Sequence, residues 1–262
     1  MTTGALHVAR SGLEAQNTRM QVIANNLANV NTVGFKRDRA SFETLAYQNI
    51  TNPGAPSSGD NLYAIGKNLG SGVQLTGIGR IDTQGSITTT DNALDMAIEG
   101  SGYFQVQRPD GSTAYTRAGD FSLSAEGTIV TPDGMPLQPQ IQVPDGATGI
   151  SIGADGTVSA QIAGETEATN LGQIEIARFI NPSGLQSIGN NLLVETGASG
   201  AAQIGAPGQE GRGAIRAGSL EASNVNVVEE LVDMIETQRA YEVNSRMIKA
   251  ADEMLQNATQ QL

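Results

Sequence analysis

The 262-residue chain has no cysteine, no tryptophan and a single histidine. Without cysteine there are no disulfides, thiolate metal sites or cysteine nucleophiles, and a reducing or an oxidising compartment is equally tolerated. A lone His7 forms no histidine cluster within one chain and argues against a Ser-His-Asp triad. It reads as a helix-surface or subunit-contact residue. Aromatic residues are only 4% of the chain, so a core made chiefly of Ile, Val, Leu and Ala is expected. No run of ~18 apolar residues occurs, so no membrane span is expected. The N-terminus lacks basic residues followed by an apolar stretch, so no cleavable secretory signal is expected. Positive charge is scarce: 15 Lys and Arg stand against 27 Asp and Glu, for a net charge of −12. That balance argues against a nucleic-acid partner, which needs a basic face, and reads as solubility.

What the chain does have is an apolar residue at every seventh position near each end. Leu6, Leu13, Met20 and Leu27 are so spaced, with Ile23 and Val30 one helical step on. Val227, Met234, Tyr241, Ile248 and Leu255 repeat the spacing, with Leu231 beside them. A period of seven draws a narrow apolar seam along a helix, and such a seam needs another helix to cover it. These seams are the expected subunit-interface residues.

The spacing predicts a helix from residue 1 to about 31, stopped at Asn31-Thr32-Val33-Gly34, with Gly34 suited to a left-handed backbone. The N-terminal helical segment is thus 1–34. Residues 35–69 read as a connecting segment with an extended loop at 47–62, where Asn52, Pro53, Gly54, Pro56, Ser57, Ser58 and Gly59 are breakers. From 70 to 222 short apolar runs alternate with turn signals, including the pairs Asp110-Gly111, Asp133-Gly134, Asp145-Gly146 and Asp155-Gly156. Asp-Gly suits tight hairpin turns, and regular short strands predict an antiparallel β domain. Residues 223–262 read as a terminal helix that Asn226 caps, with Glu229 three residues on as in a capping box. The expected fold class is α+β. N- and C-terminal helices form a paired, coiled-coil-like domain, and a mainly antiparallel β domain is inserted between them. Residues 1–31 carry a net charge of +1 and residues 224–262 a net of −4, which favours mixed pairing of the two helices modestly.

The run Ile23-Ala24-Asn25-Asn26-Leu27-Ala28-Asn29-Val30-Asn31-Thr32-Val33-Gly34-Phe35-Lys36 resembles the N-terminal motif of bacterial flagellar rod and hook proteins. Ser223-Asn224-Val225-Asn226-Val227-Val228-Glu229-Glu230-Leu231-Val232, then Met234-Ile235 and Gln238-Arg239-Ala240-Tyr241-Glu242, resembles the matching C-terminal motif. Gly100-Ser101-Gly102-Tyr103-Phe104 and Tyr115-Thr116-Arg117-Ala118-Gly119-Asp120-Phe121 also look like that family. The resemblance spans nearly the whole chain, and the motif residues it singles out are Asn25, Asn26, Asn29, Gly34, Phe35, Asn224, Asn226, Gln238, Arg239 and Tyr241. Within the family, the length and the segment 47–62 are more like a distal-rod subunit than a hook subunit.

The resemblance implies a structural role. Subunits of this kind form a helical homopolymer, with paired terminal helices as an inner tube and the β domain outside. The shaft crosses the periplasm in the basal body, transmits torque to the hook and encloses part of the export channel. Implied partners are other rod proteins, the hook protein, the surrounding ring (bushing) proteins and the flagellar export apparatus, which would pass the chain unfolded without a cleaved signal. A hook-type or phage-tail-like tube subunit remains an alternative, as does a β domain with enzymatic or ligand-binding activity carried on oligomerisation helices.

Little else in the chain suggests chemistry. Gly70-Ser71-Gly72 and Gly77-Ile78-Gly79 lack the Gly-Lys-Ser/Thr of a phosphate loop. Each Asp-Gly stands without the oxygen array of a calcium loop. No catalytic residue, cofactor or metal is expected. Asn25 and Asn29 share a helix face, and the asparagines of the motif are read as inter-subunit hydrogen-bonding groups in preference to a channel lining. Glu242 with Arg239 or Arg246 reads as helix-surface ion pairing. The segment 47–62 is read as an arm that packs between subunits and stiffens the tube.

Overall fold

The structure is a computed structural model that describes residues 2–54, 56–58, 61–144, 146–162 and 168–260. Asp145 and Gly59 lie outside the described residues, and so do the side chains of Ser57, Ser58 and Leu255. The element order is helix, strands, helix: α1 spans Thr2–Ala28, α2 spans Val227–Gln260, and the strands lie between them, so the chain is α+β. It divides into two compact units. One comprises Met1–Leu27, Asp38–Gly79 and Asn226–Leu262; the other comprises Ala28–Arg37 and Arg80–Val225.

The second unit is built on an antiparallel sheet. In spatial order its strands are Gln186–Gly189, Leu192–Val194, Thr113–Thr116, Tyr103–Gln107, Ile176–Arg178 and Gln203–Gly205, and Leu137–Gln138 shares an edge of the central strand with Ile176–Arg178. Side chains alternate across a strand. Phe104 and Val106 therefore enter one apolar cluster with Ile98, Ile129, Leu137, Val158 and Ile174. Tyr103 enters the other, with Tyr115, Phe179 and Leu193. Aliphatics fill most of this core, but aromatics join it in edge-to-face pairs: Phe104–Phe121 at 5.2 Å and Tyr115–Phe179 at 4.8 Å. A three-stranded meander, Ala147–Ile152, Thr157–Ile162 and Thr169–Gln173, adds Val158 to the first cluster. Two ribbons bring the late part of the chain back: Ala214–Ala217 pairs with Met96–Glu99, and Ser219–Glu221 with Ile87–Thr89.

One turn occurs four times among the described residues. Gly111, Gly127, Gly134 and Gly156 have φ of 82°, 75°, 82° and 83°, and each donates its N–H to the carbonyl three residues back. The turn's first residue then bonds the residue after the glycine, as in Arg108 N–H to Ser112 O at 2.9 Å. This is a type I turn closed by a glycine bulge. Three of these are Asp-Gly pairs, and the fourth uses Glu126-Gly127. The Asp110 and Asp155 carboxylates cap the local N–H groups of Ser112 and Thr157 at 2.9 and 3.1 Å.

The first unit has no comparable core. Among the described residues, its buried apolar side chains are Ala9, Val22 and Ile23, whereas the rest of the chain's buried apolar set lies in the β unit. Its strands are Asp38–Thr44, paired with Val73–Arg80, and a hairpin between them. In that hairpin Tyr47–Thr51 pairs with Lys67–Gly70, with Tyr47 opposite Gly70, and Pro56–Ser58 pairs with Asn61–Leu62.

Three expectations need correction. The N-terminal helix ends at Ala28 rather than near 31, because Thr32 N–H bonds Asn29 O at 3.2 Å in a turn. The segment 47–62, read as a loop, belongs to a two-stranded arm. The β region expected to begin at 70 instead opens with Val73–Arg80, whose partner Asp38–Thr44 keeps it in the helical unit as far as Gly79.

Candidate assembly surface

Several motif residues point inward and act within one chain. Asn26 is 2% exposed. Its side-chain amide donates to Asp38 O and accepts from Asp38 N–H, both at 2.9 Å, so it pairs with the main chain as a neighbouring strand would. The same NH2 group reaches both oxygens of buried Glu230 at 3.3 Å. Asn224 works the same way in the β unit. Its Oδ1 accepts Arg37 N–H at 2.8 Å, and its NH2 donates to Ile81 O at 2.8 Å and Thr83 O at 3.0 Å. Asn29 accepts the Thr32 hydroxyl at 3.2 Å. Inter-subunit bonding is therefore corrected for Asn26, whose amide is consumed inside the chain. Asn25 lies on the exposed side of α1.

Gly34 has φ +67°, and its N–H bonds Glu221 O at 2.8 Å. A Cβ there would stand 2.6 Å from Arg117 C and from Ala118 N, so both conformation and space demand glycine. Phe35, half-buried, closes the same turn through its N–H to Thr32 O at 3.3 Å. Beside it, Lys36 and Arg117 both pair with the buried carboxylate of Glu221. Burial alone would raise the Glu221 pKa, but Arg117 and then Lys36 outweigh it and hold the carboxyl below its ordinary value. Burial dominates at Lys36 and lowers its pKa, with Glu221 opposing. Arg117 also donates to the carbonyls of Ile98, Gly100 and Gly102, which ties the two β-domain motifs together in space. Sequence reading missed Glu221 and Glu230. Each is an acid next to a motif asparagine or glycine, but nothing in the pattern marks it as buried.

Polar contacts join the two helices of the first unit. Arg19 pairs with Asp233 at 3.2 Å, Asn26 meets Glu230, and a Cβ on Gly12 would lie 3.2 Å from the Asn244 amide. As the α1 position falls, the α2 position rises, so the contacts run antiparallel. Thr237, 1% exposed, bonds Asp233 O at 2.7 Å within this strip. At its start, Asn226 caps α2 by accepting Val228 N–H at 3.1 Å.

Six large apolar residues of α2 lie on its exposed side. Val228, Val232, Ile235, Val243, Met247 and Met254 are between 50% and 69% exposed. Val232, Val243 and Met254 are eleven residues apart, which is three turns of a nearly straight helix. That spacing is the signal a search for sevens overlooked. Of the seven-residue set, Ile23 is buried; Leu6, Leu13, Met20, Leu27, Val30, Met234 and Ile248 are half-covered; Val227, Leu231 and Tyr241 are exposed. Gln238 and Arg239 are exposed too, and Glu242 pairs with Arg246 at 3.7 Å on the surface. The arm adds Tyr47, Ile50, Tyr63, Ile65 and Leu69, all exposed, while Asn52, Pro53, Gly54 and Pro56 lie at its outer, exposed part. A soluble monomer seldom leaves so much apolar surface uncovered.

Clefts lie in both units. One of about 500 Å³ lies along α1 between His7, Arg10 and Glu14 and the residues Leu45, Val73 and Leu75. The His7 ring meets Ser71 O at 3.3 Å. No described helix is long and apolar enough to cross a membrane.

Family comparisons agree with this distribution of motifs. Residues 6–36 match the family described as "Flagella basal body rod protein", residues 97–160 the "Flagellar hook protein FlgE/F/G D1 domain", and residues 216–261 the "Flagellar basal body rod FlgEFG protein C-terminal". The chain is 49% identical to the flagellar basal-body rod protein FlgG of Buchnera aphidicola subsp. Acyrthosiphon pisum, over 98% of each chain. It is 49% identical to FlgG of Caulobacter vibrioides, again over 98% of each. Against the flagellar basal-body rod protein FlgF of that organism the identity is 32%, over 98% of this chain and 97% of the other. The chain belongs to the flagellar basal-body rod protein family, most like FlgG within it, and is a structural subunit of the rod rather than an enzyme.

Proposed function

We propose that this chain is the repeating subunit of the distal rod. It polymerises into a hollow, rigid shaft that crosses the periplasm, transmits torque to the hook and encloses part of the export channel. The observation that carries this reading is the contrast between the two units. The β unit has a closed core, whereas the helical unit buries few apolar side chains and leaves most of the large ones of α2 exposed. Antiparallel contact within one chain covers the polar strip of α2 and leaves the apolar one for other copies. A heterologous contact of this kind, repeated without closure, gives a helical filament. Covering Val228, Val232, Ile235, Val243, Met247 and Met254 contributes roughly 1 kcal/mol each, since each is already half-covered in the monomer. In the shaft the terminal helices of neighbouring copies pair in a coiled-coil-like tube, and Leu6, Leu13, Met20, Met234 and Ile248 flank that contact.

The arm packs across an adjacent subunit and stiffens the shaft. A lone two-stranded hairpin is marginal in water, and this one carries five exposed apolar side chains. The ends of the shaft meet other rod proteins and the hook protein, the ring proteins surround it, and the export apparatus delivers the chain unfolded without a cleaved signal.

The test is a Val232→Asp/Val243→Asp double variant expressed in place of the wild-type chain. Both sites are exposed in the monomer, so purified protein should keep its near-ultraviolet circular dichroism while basal bodies stop short of a complete rod. Swimming cells with complete rods would contradict the reading.

A further inference from the structure

Three stretches of chain far apart in sequence meet at one buried carboxylate. Glu221 is 1% exposed. Its Oε1 accepts from Lys36 Nζ and from Gly85 N–H at 2.9 Å, and its Oε2 accepts from Arg117 Nε. Both cations are themselves buried, at 7% exposure each. Arg117 is held in place by carbonyls that precede it, those of Ile98, Gly100 and Gly102. Lys36 is held by Thr83 O at 2.8 Å. The other acid facing Lys36 is Asp82, which lies nearer the surface and accepts the Tyr103 hydroxyl at 3.0 Å.

The cations and their cradle are thus in place by residue 117, and the charge that answers them arrives at residue 221 of 262. It arrives on the last strand of the β unit, Ser219–Glu221, just after Ala214–Ala217. The main chain there is fixed from both sides: Gly34 N–H bonds Glu221 O and Ala222 N–H bonds Ser86 O, each at 2.8 Å. Before this strand docks, closing the β unit would bury two positive side chains with one acid at the margin. A buried charge without its partner is among the costliest defects a fold can hold.

We propose that Glu221 is a completion switch. The whole β unit closes only when residues 214–221 are present, so a chain that lacks this end, still being made or still being delivered, stays open from residue 80 onward. The switch is a property of the chain itself. The assembly reading supplies only its use, which is to keep incomplete subunits out of a polymer.

The experiment is native-state amide hydrogen exchange on the full-length protein and its Glu221→Gln variant, which keeps the shape of the side chain and removes the charge. If Glu221 gates the unit as a whole, the amides of Phe104, Val106 and Tyr115 in the central sheet lose protection by the same factor as Thr88 and Leu220 in the latch ribbon. That factor should be on the order of 100-fold or more, because all of these amides then exchange through one opening. Loss confined to the latch ribbon, with the central sheet as protected as before, would make Glu221 a local clip and overturn the proposal. A Glu221→Gln chain with no protected core agrees with it, and the Lys36→Met/Glu221→Gln double variant then decides. With one unanswered charge gone, it should regain at least about 10-fold of central-sheet protection. A double variant no better protected than the single one would also overturn the proposal.

Discussion

Gly34→Ala tests how the turn at Gly34 is packed within the β unit. The residue sits at φ +67°, and an added Cβ would meet Arg117 C and Ala118 N at 2.6 Å and Arg117 O at 2.7 Å. Holding an L-residue in the left-handed region costs about 1–2 kcal/mol. The overlap is with backbone, which cannot swing aside as a side-chain tip would, and overpacking of this kind costs about 1–3 kcal/mol more. The expected total is roughly 2–5 kcal/mol. Gly111→Ala is the matched control, because Gly111 has φ +82° in the same unit with nothing within 4 Å of the added Cβ. It should cost only the conformational part, about 1–2 kcal/mol. Urea unfolding followed by near-ultraviolet circular dichroism reads Tyr103 and Tyr115 in the core. With a slope of about 2 kcal/mol per molar, the midpoint should fall by about 1–2.5 M for Gly34→Ala and by about 0.5–1 M for the control. Equal shifts for the two variants would refute the argument from space.

Acid should act on the β unit through Glu221. Its carboxyl is held below the ordinary 4.5, so the unfolded chain binds a proton first as pH falls; the stability it confers is complete above 4.5 and is lost as pH drops through the lower folded value. Urea midpoints measured across that range should fall more steeply for wild type than for Glu221→Gln, and parallel curves would count against the ion cluster. Ile248→Pro removes a backbone donor from the interior of α2, at a cost of ~3 kcal/mol to that helix, and should abolish rod assembly while the β-unit core keeps its amide protection; motile cells with intact basal bodies would contradict it. Replacing residues 47–70 by a two-residue turn is sterically simple, since Leu45 N–H already bonds Gly72 O at 2.9 Å. Shafts should still form but curve more in electron micrographs, and unchanged straightness would remove the stiffening role of the arm.

How much was legible depended on whether a feature has a face to bury. Strands such as Tyr103–Gln107 alternate between two apolar clusters, and the Asp-Gly turns between them carry their backbone requirement in the residue itself, so the β region announced its class. The arm strands Tyr47–Thr51 and Lys67–Gly70 are exposed on both faces. They show no alternation, and the prolines nearby argued for a loop. The terminal helices were plain in sequence, but which face meets what was not. A seven-residue pattern picks out one stripe of apolar residues, but it marks neither the polar contacts of Arg19 with Asp233 and Asn26 with Glu230 nor the exposed stripe of Val232, Val243 and Met254. The buried ion cluster was illegible for a different reason. Lys36, Arg117 and Glu221 look like any surface charges until three stretches of chain distant in sequence bring them together.

The central claim is that the uncovered apolar face of α2 is the contact between subunits. The most direct measurement is a cryo-electron microscopy reconstruction of purified basal bodies at a resolution that shows side chains in the rod. The account predicts that Val228, Val232, Ile235, Val243, Met247 and Met254 are buried against helices of neighbouring copies, with the β units outside and the arm lying across an adjacent subunit. A rod in which the β units make the lateral contacts, and these six side chains still face solvent or the open channel, would contradict it.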